Sequence, residues 1–464
     1  MEAVQHAPTE LGSEKIGRLL KMYAVPGIIA QTASSLYNMV DSIYIGHIKD
    51  VGSYAISGLA VTFPLMNLSA ALGTLVGVGA MTLISVLLGR KEYKTANKVL
   101  GNVLSLNIII GLLFTLVTLS FLNPILTFFG ASTNTLPFAR DYMVIILIGN
   151  VITHLYFGLN GAIRASGHPK TAMGLTLFTV TSNIILDPIF IFLLDMGIKG
   201  AALATVLCQA MALAFELKFF LDKERIPHFP RPVIQISFRI AKSSLAIGLG
   251  PFLMNSAACI VALFINQQLL KYGGDLAIGA YGIANRITFM FIMIVMGFCQ
   301  GMQPIAGYNY GARQYSRVRK VFMLTALCGL ITTIVSFLVS EFLPGPAVSL
   351  FTNDPELKEL AVSGLRKMNL AIGVVGLSMV SANLFQCLGM VKVSIFLSLS
   401  RQLLFLVPLI YLLPLRFQEN GVWYSLPVSD FVSFLVTVFF VFRLMRKFSR
   451  LEDGASSEIL GSEV

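Results

Sequence analysis

The sequence predicts an all-α integral membrane protein whose twelve transmembrane helices form two halves of six. Three observations support this prediction: an apolar composition, twelve long apolar runs, and a repeat that relates the two halves. Of the 464 residues, 56% are hydrophobic and only 12% are charged, whereas soluble domains carry about 25% charged residues. This composition excludes an ordinary soluble domain.

Twelve apolar runs are long enough to cross a bilayer, which takes about 20 residues. They lie near 22–48, 54–88, 99–123, 139–163, 171–194, 198–221, 243–270, 276–308, 321–343, 368–388, 393–415 and 421–442. We number them as spans 1 to 12. The corresponding domains are an N-lobe (1–221), a basic cytoplasmic linker (222–242), a C-lobe (243–450) and a cytoplasmic tail (451–464).

The basic residues predict the orientation of these spans. Of the 34 Lys and Arg residues, 24 lie in one set of loops and chain ends, and eight lie in the opposite set. Basic loops stay in the cytoplasm, so both termini are predicted to be cytoplasmic. The net charge of +11 is spread over short loops without a basic stripe. We therefore predict no nucleic-acid partner.

The two halves of the chain resemble each other at an offset of 222 residues. Gly89–Tyr93 is similar to Gly311–Tyr315, and the same offset relates Gly167 to Gly389. Six spans per half keep both halves in the same orientation, so they should pack around an axis along the membrane normal. A cavity between them is expected, as in transporters. An ancient duplication without a mechanistic role is the alternative.

Charges within apolar runs are costly and usually functional. Once the charges of the loops and of the ends of the runs are set aside, five remain: Asp41, Asp187, Arg286, Arg401 and Asp430. At 1.5 Å per residue, Asp41, Asp187 and Thr205 all lie about 10–12 Å from the predicted outer ends of their spans. Three polar residues at one depth indicate a shared site.

Span 5 adds oxygen atoms to this site. Asn183 and Asp187 are four residues apart and share a helix face, and Pro188 leaves the carbonyl of Ile184 without its helical donor. Carboxylate, amide, hydroxyl and carbonyl oxygens suit a proton or a hard cation such as Na⁺. Alternatively, Asp41 and Asp187 form separate hydrogen bonds that hold helices together.

Other chemistries have no support in the sequence. The five cysteines lie in apolar runs without CxxC spacing, so neither a disulfide framework nor a zinc site is indicated. No histidine cluster, nucleophile motif or ATP-binding loop is present. We therefore predict a secondary transporter without a cofactor other than a coupling ion, and we disfavour an intramembrane enzyme.

Four features carry a resemblance to the multidrug and toxin extrusion (MATE) family. They are Asp41 in span 1, Asn183 with Asp187, Pro188 and Thr205, the motif Arg164–Lys170 (RASGHPK), and the motif Gln300–Gly311 (QGMQPIAGYNYG). The resemblance extends over nearly the whole chain and is strongest to the prokaryotic MepA-like and DinF-like branch. It implies the MATE fold, in which two six-helix lobes are related by a pseudo-two-fold axis.

The resemblance also implies a function. Family members export organic cations and amphipathic drugs in exchange for H⁺ or Na⁺. Asp41, Asn183, Asp187 and Thr205 match the N-lobe ion site of prokaryotic members and are the candidate ligands if the coupling ion is Na⁺. Tyr37 lies one turn from Asp41. The expected setting is a bacterial cytoplasmic (inner) membrane, with a monomeric protein among membrane lipids and cationic or amphipathic drugs as its partners.

The C-lobe offers a less definite set of polar residues. Gln300, Gln303, Arg286, Arg401 and Asp430 are candidates for a substrate cavity or for structural polar contacts, with Arg401 and Asp430 as a pair. The runner-up function is a lipid-linked oligosaccharide flippase of the same superfamily. Such a flippase needs several cationic residues in its cavity, and only two of these five candidates are cationic.

Overall fold

The computed structural model describes residues 10–48, 52–230, 232–234, 236–352, 354–450 and 453–454. These residues are almost entirely helical, and none of them forms a β-strand. The predicted cytoplasmic tail lies outside the described residues except for Asp453 and Gly454. The first nine residues of the predicted N-lobe lie outside them as well.

The described residues of the first half form nine α-helices. They are α1 (Glu10–Ser13), α2 (Ile16–Gly46), α3 (Gly52–Gly89), α4 (Tyr93–Ser120), α5 (Leu122–Phe128), α6 (Leu136–Ile148), α7 (Asn150–Ala165), α8 (Pro169–Pro188) and α9 (Ile198–Leu221). A π-helical turn, Ile189–Leu193, continues α8.

The second half begins with one long helical stretch, Phe238–Gly311, which Gly274 breaks with its positive φ of 71°. The break separates α10 (Phe238–Gly274) from α11 (Leu276–Gly311). The remaining helices are α12 (Tyr315–Phe342), α13 (Pro344–Ser349), α14 (Pro355–Met368), α15 (Ile372–Cys387), α16 (Val391–Leu399), α17 (Val407–Leu412), α18 (Pro414–Phe417) and α19 (Glu419–Phe448). A π-helical turn, Ser400–Leu406, joins α16 to α17.

The predicted membrane spans correspond to these helices. In the described part of the chain, nine helices are long and apolar enough to cross a membrane, and two bent pairs raise the number to eleven. The remaining predicted span falls on α2, which has 31 residues.

Spans 4 and 10 are bent, which the sequence analysis did not predict. Helices α6 and α7 meet at 55°, and so do α14 and α15. The predicted span 10 began at residue 368 because α14 is amphipathic and charged, with Lys358, Glu359, Arg366 and Lys367. Its carboxyl-terminal end still continues directly towards α15, so the charged helix and the apolar helix form one element.

The internal repeat is confirmed in the geometry of the chain. Helices α4 and α12 both have 28 residues, and both of their ends are related by the offset of 222. The turns before them share a positive φ, 62° at Lys91 and 58° at Arg313. A second turn repeats in the same way at Gly167 and Gly389, with φ of 91° and 73°. The two halves therefore repeat in turn conformation as well as in helix length.

The chain forms two compact units. Unit 1 contains residues 1–11 and 29–252, and unit 2 contains residues 12–28 and 253–464. The beginning of α2 thus belongs to unit 2, and the beginning of α10 belongs to unit 1. Pro26 lies inside α2 close to the point where the helix passes from one unit to the other.

Glycines allow two helices of unit 1 to approach closely. A Cβ atom on Gly248 of α10 would lie 1.7 Å from the carbonyl oxygen of Leu75, and a Cβ atom on Gly79 of α3 would lie 1.9 Å from that of Ser244. Unit 2 repeats the arrangement at Gly297 and Gly301, where an added Cβ atom would overlap the backbone of α2. The offset of 222 relates Leu75 to Gly297 and Gly79 to Gly301, so the close crossing is part of the repeat.

We expect Gly248→Ala to destabilise unit 1 by about 1–3 kcal/mol, because the added methyl group overlaps backbone that cannot move away alone. The measurement is thermal unfolding of the purified protein in detergent. Gly174→Ala is the matched control, since no atom lies within 4 Å of its Cβ position and alanine favours the helix. Equal unfolding temperatures for the two variants would contradict the close crossing.

The linker between the halves folds against unit 1. The backbone N–H of His228 donates to Asn97 Oδ1 at 2.9 Å, and that of Ser237 donates to Asn102 Oδ1 at 2.9 Å. Arg225 lies 3.3 Å from His168 Nε2 and stacks over the ring of Phe219. Helix α10 begins at Phe238, inside the predicted linker.

Candidate ion-coupling site

The predicted N-lobe residues come together inside unit 1. The hydroxyl of Tyr37 lies 3.0 Å from Thr205 Oγ1, and Asn183 Nδ2 donates to the same Thr205 oxygen at 3.3 Å. This contact joins α2, α8 and α9 through side chains that are distant in sequence. The structure thereby brings three of the five predicted residues into one hydrogen-bonded group.

The two predicted carboxylates lie beside this group and are removed from solvent. Asp41 is 5% exposed and Asp187 is fully buried. Their side chains are close enough to share a hydrogen bond when one of them carries a proton, and Asn183 is near Asp187 as well. All five predicted N-lobe residues therefore belong to one buried site.

Several oxygen atoms of the site lack a donor. Both oxygens of Asp187, Oδ1 of Asp41 and Oδ1 of Asn183 accept no hydrogen bond from the described residues. Unpaired buried oxygen atoms of this kind cost free energy, and two neighbouring buried carboxylates repel each other unless a positive charge intervenes. The arrangement can bind a proton or a small cation.

Local sequence features position these side chains. Asp187 precedes Pro188, which cannot donate a helical hydrogen bond, and the π-helical turn begins directly afterwards. A Cβ atom on Gly200 of α9 would lie 2.7 Å from the carbonyl of Phe190. The glycine therefore allows α9 to approach this turn, and Thr205 follows one and a half turns later.

The C-lobe candidates do not form one group. Arg286 is exposed on α11, together with Phe289 and Met290. Gln303 is buried, and its Oε1 has no hydrogen-bond partner among the described residues. Gln300 is half-buried. The predicted N-lobe set has no equivalent in unit 2 at the corresponding positions.

Arg401 and Asp430 form the predicted pair. Arg401 Nη1 lies 3.5 Å from Asp430 Oδ1, and the side chains are 32% and 14% exposed. Arg401 belongs to the π-helical turn Ser400–Leu406. The hydroxyl of Ser429, the residue before Asp430, donates to the backbone carbonyl oxygen of Arg401 at 2.7 Å. Two successive residues of α19 therefore contact Arg401 in the turn, which favours a structural role for the Arg401–Asp430 pair.

We expect Arg401→Met and Asp430→Asn to show coupled effects on stability. Each single replacement leaves one charge without its partner, so the double variant should lose about 1–2 kcal/mol less than the sum, between the values for exposed and buried pairs. The measurement is a double-mutant cycle on thermal unfolding. Arg401→Met combined with Glu359→Gln, at an exposed acid of α14, should be additive. Additivity at Asp430 would exclude the pair as a stabilising contact.

One buried carboxyl group was missed by the sequence analysis. Glu216 of α9 is fully buried, and its Oε1 accepts a hydrogen bond from Asn160 Nδ2 at 3.2 Å. In the sequence, Glu216 lies near the end of span 6, two residues before Lys218, where charges are usual. Its spacing of eleven residues from Thr205, three helical turns, was the available signal.

A second buried polar group surrounds His154. Ser69 Oγ lies 3.2 Å from His154 Nε2, and it also donates to Asn150 Oδ1. Asn150 Nδ2 donates in turn to the carbonyl oxygen of Gly111 at 3.3 Å. These contacts join α3, α4 and α7. His154 is therefore a hydrogen-bonded residue at the junction of three helices.

Comparison with protein families accounts for the internal repeat. The MatE family model matches this chain twice, at residues 26–189 and 246–412, so each half of the chain is one copy of the family unit. The chain belongs to the MATE family. The resemblance inferred from the sequence motifs is confirmed by this match.

Individual MATE proteins are similar to this chain over nearly its whole length. The multidrug export protein MepA of Staphylococcus aureus (strain MSSA476) is 28% identical over 432 residues, which cover 91% of this chain and 92% of MepA. A solved structure of the MATE multidrug transporter DinF-BH in complex with rhodamine 6G is 34% identical, with a TM-score of 0.88. It covers 96% of this chain and 100% of DinF-BH.

A more distant structure confirms the fold alone. An outward-facing multidrug resistance MATE family transporter of the MOP superfamily is 23% identical, with a TM-score of 0.89 over 96% of this chain and 99% of that chain. The MATE fold predicted from the sequence is confirmed. MATE proteins are secondary transporters, so the prediction that this chain is a transporter rather than an enzyme is confirmed by its family.

Proposed function

We propose that this MATE protein is an antiporter that exports organic cations and amphipathic drugs across the bacterial cytoplasmic membrane in exchange for H⁺ or Na⁺. The observation that carries the proposal is the buried Asp41–Asp187 pair with its unpartnered oxygens. An export protein needs a site that binds its driving ion reversibly. A buried acid pair in which three of the four carboxylate oxygens accept no hydrogen bond from the described residues fulfils that need.

The oxygen atoms of the site suit either coupling ion. A proton would bridge Asp41 and Asp187 and remove the repulsion between them. A sodium ion would take its ligands from Asp41, Asp187, the Asn183 side-chain oxygen and Thr205, all of which are oxygens. Tyr37 would act through its contact with Thr205, which positions that hydroxyl.

The distribution of basic residues supports the direction of transport. With 24 of the 34 Lys and Arg residues in one set of loops, we propose that both termini lie in the cytoplasm. The Asp41–Asp187 pair then lies in the outer half of the membrane. From there it can take up an ion from outside the cell, where protons and Na⁺ are more abundant.

The substrate is proposed from chemistry and from relatives. MepA is a multidrug export protein and DinF-BH was solved with rhodamine 6G, and an exposed face of α11 combines Arg286 with Phe289 and Met290. Flexible Met and aromatic side chains suit adaptable binding of apolar molecules. Gln300 and Gln303 are the polar candidates for substrate contact, and we propose a monomer that works among membrane lipids.

The experiment is rhodamine 6G export from the purified protein in proteoliposomes. A pH gradient and a Na⁺ gradient are imposed separately, and each is then collapsed by an ionophore as the control. We expect one of the two gradients to drive export and its collapse to stop export. Absence of export under both gradients would contradict the antiporter function.

The flippase alternative is tested with the same vesicles. A pyrophosphate-linked lipid with a fluorescent label reports flipping when the label becomes accessible to a membrane-impermeant quencher. We expect no gradient-dependent flipping, because Arg286 and Arg401 are the only predicted cationic candidates for a cavity and Arg401 is paired with Asp430. Flipping without rhodamine 6G export would favour the alternative.

A further inference from the structure

Glu216 is a buried carboxyl group outside the Asp41–Asp187 pair. It projects from α9 of unit 1, and its side chain is fully removed from solvent. Oε1 accepts a hydrogen bond from Asn160 Nδ2, whereas Oε2 accepts none from the described residues. A buried carboxylate without donors to both oxygens is costly. Glu216 thus resembles Asp187 in its incomplete set of partners.

A positive charge lies on the other side of Asn160. Arg164 Nη2 donates to Asn160 Oδ1 at 2.9 Å, and Asn160 Nδ2 also donates to the carbonyl of Ala172 at 3.2 Å. The amide is therefore oriented with its oxygen towards the guanidinium and its nitrogen towards Glu216. Arg164 is close enough for its charge to act on Glu216, and a nearby positive charge favours the ionised form of a carboxyl group.

The groups that face Glu216 come from two helices. On α7 they are Arg164, Asn160 and Tyr156, of which Arg164 and Tyr156 are titratable and interact electrostatically with Glu216. On α8, the carbonyl of Ala172 accepts a hydrogen bond from the same Asn160 amide. Arg164 thus supplies the positive charge in the surroundings of this carboxyl group.

Polar side chains lie between Glu216 and the ion-coupling site. Thr176, Thr179, Asn183 and Asp187 are spaced by three, four and four residues and share one face of α8. The hydroxyl of Tyr156 donates to Thr176 Oγ1 at 3.5 Å. On α9, Thr205 and Glu216 are separated by about 16 Å along the helix axis at 1.5 Å per residue. The two sites are therefore distinct but lie on the same pair of helices.

We propose that Glu216 is a second proton-binding carboxyl group of unit 1, which takes up a proton on Oε2 and releases it again during transport. The step is a proton transfer alone: binding converts the carboxylate to the neutral acid, and release restores it. The proposal rests on the proposed function, since it assigns the proton a second position in an ion-coupled exporter. In the proposed orientation Glu216 lies towards the cytoplasmic end of α9, where the proton would leave.

Infrared difference spectroscopy tests proton binding directly. Spectra of the reconstituted protein are recorded between acid and alkaline pH, and protonated carboxyl groups are identified by their C=O stretching bands. Glu216→Gln keeps the acceptor for Asn160 and removes the titratable group. We expect it to lose one carboxyl band that Asp41→Asn and Asp187→Asn both retain. Glu216→Asp, which keeps the acid, should shift this band instead.

The matched control is Glu224→Gln, the same replacement at an exposed residue of the linker. It should retain every band of the parent protein from buried carboxyl groups. If the spectrum of Glu216→Gln contains all the carboxyl bands of the parent, the proposal is wrong. A band that is unchanged in the folded Glu216→Asp variant would overturn the proposal equally.

Export measurements distinguish a failure of the Glu216 proposal from a failure of the antiporter function. Proton-driven rhodamine 6G export should fall several-fold in Glu216→Gln and recover in Glu216→Asp with a displaced pH profile. If Asp41→Asn stops export while Glu216→Gln keeps the parental rate and pH profile, the Glu216 proposal fails and the antiporter function stands. If the parent itself exports no rhodamine 6G, the antiporter function fails, and the infrared band alone decides whether Glu216 binds a proton.

Discussion

Replacement of Asp41 by Asn is expected to abolish gradient-driven export while leaving the protein folded and inserted. Asn has nearly the shape of Asp, but it can neither bind a proton reversibly nor supply a negative charge to Na⁺. Because Asp41 and Asp187 form one buried pair, Asp187→Asn should have the same effect. The measurement is rhodamine 6G export by proteoliposomes under whichever gradient drives the parent protein.

Asp195→Asn is the matched control for this loss. Asp195 is exposed, lies just beyond the π-helical turn, and has a positive φ of 52°, a conformation that Asn tolerates well. The control variant should therefore keep the parental rate. Export by Asp41→Asn at the parental rate, with an intact thermal unfolding transition, would show that the central site assignment is wrong.

The second large effect concerns competition between ion and drug. With both carboxylates ionised, their two negative charges repel each other and attract water or cations. Ion binding removes that repulsion, so α2, α8 and α9 can pack more tightly around it. We expect this packed state to hold drug less well. Ion entry from outside would then drive drug release. The drug-free transporter, with the ion still bound, would return and carry the ion inward.

The continuity of α2 offers a route for this coupling. Its first part belongs to unit 2 and its last part, which includes Asp41, belongs to unit 1. Pro26 lies inside the helix and removes one helical hydrogen bond, so the helix can bend there. A change in packing at Asp41 can therefore be passed along one helix to both units.

The available driving force is sufficient. A membrane potential of about 100 mV supplies roughly 2.3 kcal/mol per charge, and each pH unit adds about 1.4 kcal/mol per proton. Exchange of two protons for one monovalent cationic drug would move a net charge inward. Such an exchange can maintain a drug gradient of more than tenfold, since tenfold costs about 1.4 kcal/mol.

Binding of rhodamine 6G in detergent tests the competition without any gradient. If drug binding displaces one proton, its affinity should fall by up to about tenfold for each unit by which the pH is lowered. Coupling by Na⁺ should produce a corresponding fall as the Na⁺ concentration is raised. The effect must be reciprocal, so the drug should release the ion. Asp41→Asn should bind the drug with an affinity that is much less dependent on the ion.

The Asp195→Asn variant again provides the comparison and should keep the parental ion dependence. An affinity that is independent of both pH and Na⁺ in the parent protein would refute the competition. That result would hold even if Asp41 proved essential for export, because an essential residue can act in a step other than ion exchange.

The amino-acid sequence was sufficient for the fold class of this protein, although not for the bends in spans 4 and 10. Helix number and the repeat are visible in one dimension because a transmembrane helix needs a continuous apolar run and a duplicated half keeps its turns. The pairing of Asn183 with Asp187 on one face follows from helix geometry. The cost of charge in an apolar run was likewise enough to select Asp41 and Asp187.

Only the tertiary structure decided which polar groups meet. The contact of Tyr37 with Thr205 joins residues 168 positions apart, and the pairing of Arg401 with Asp430 depends on how α19 packs against a π-helical turn. Glu216 stands near the end of its apolar run, and only its burial and its hydrogen bond from Asn160 of α7 distinguish it from a loop charge. Burial and hydrogen bonding are properties of neighbouring helices, and those neighbours come from distant parts of the chain, so no local pattern contains them.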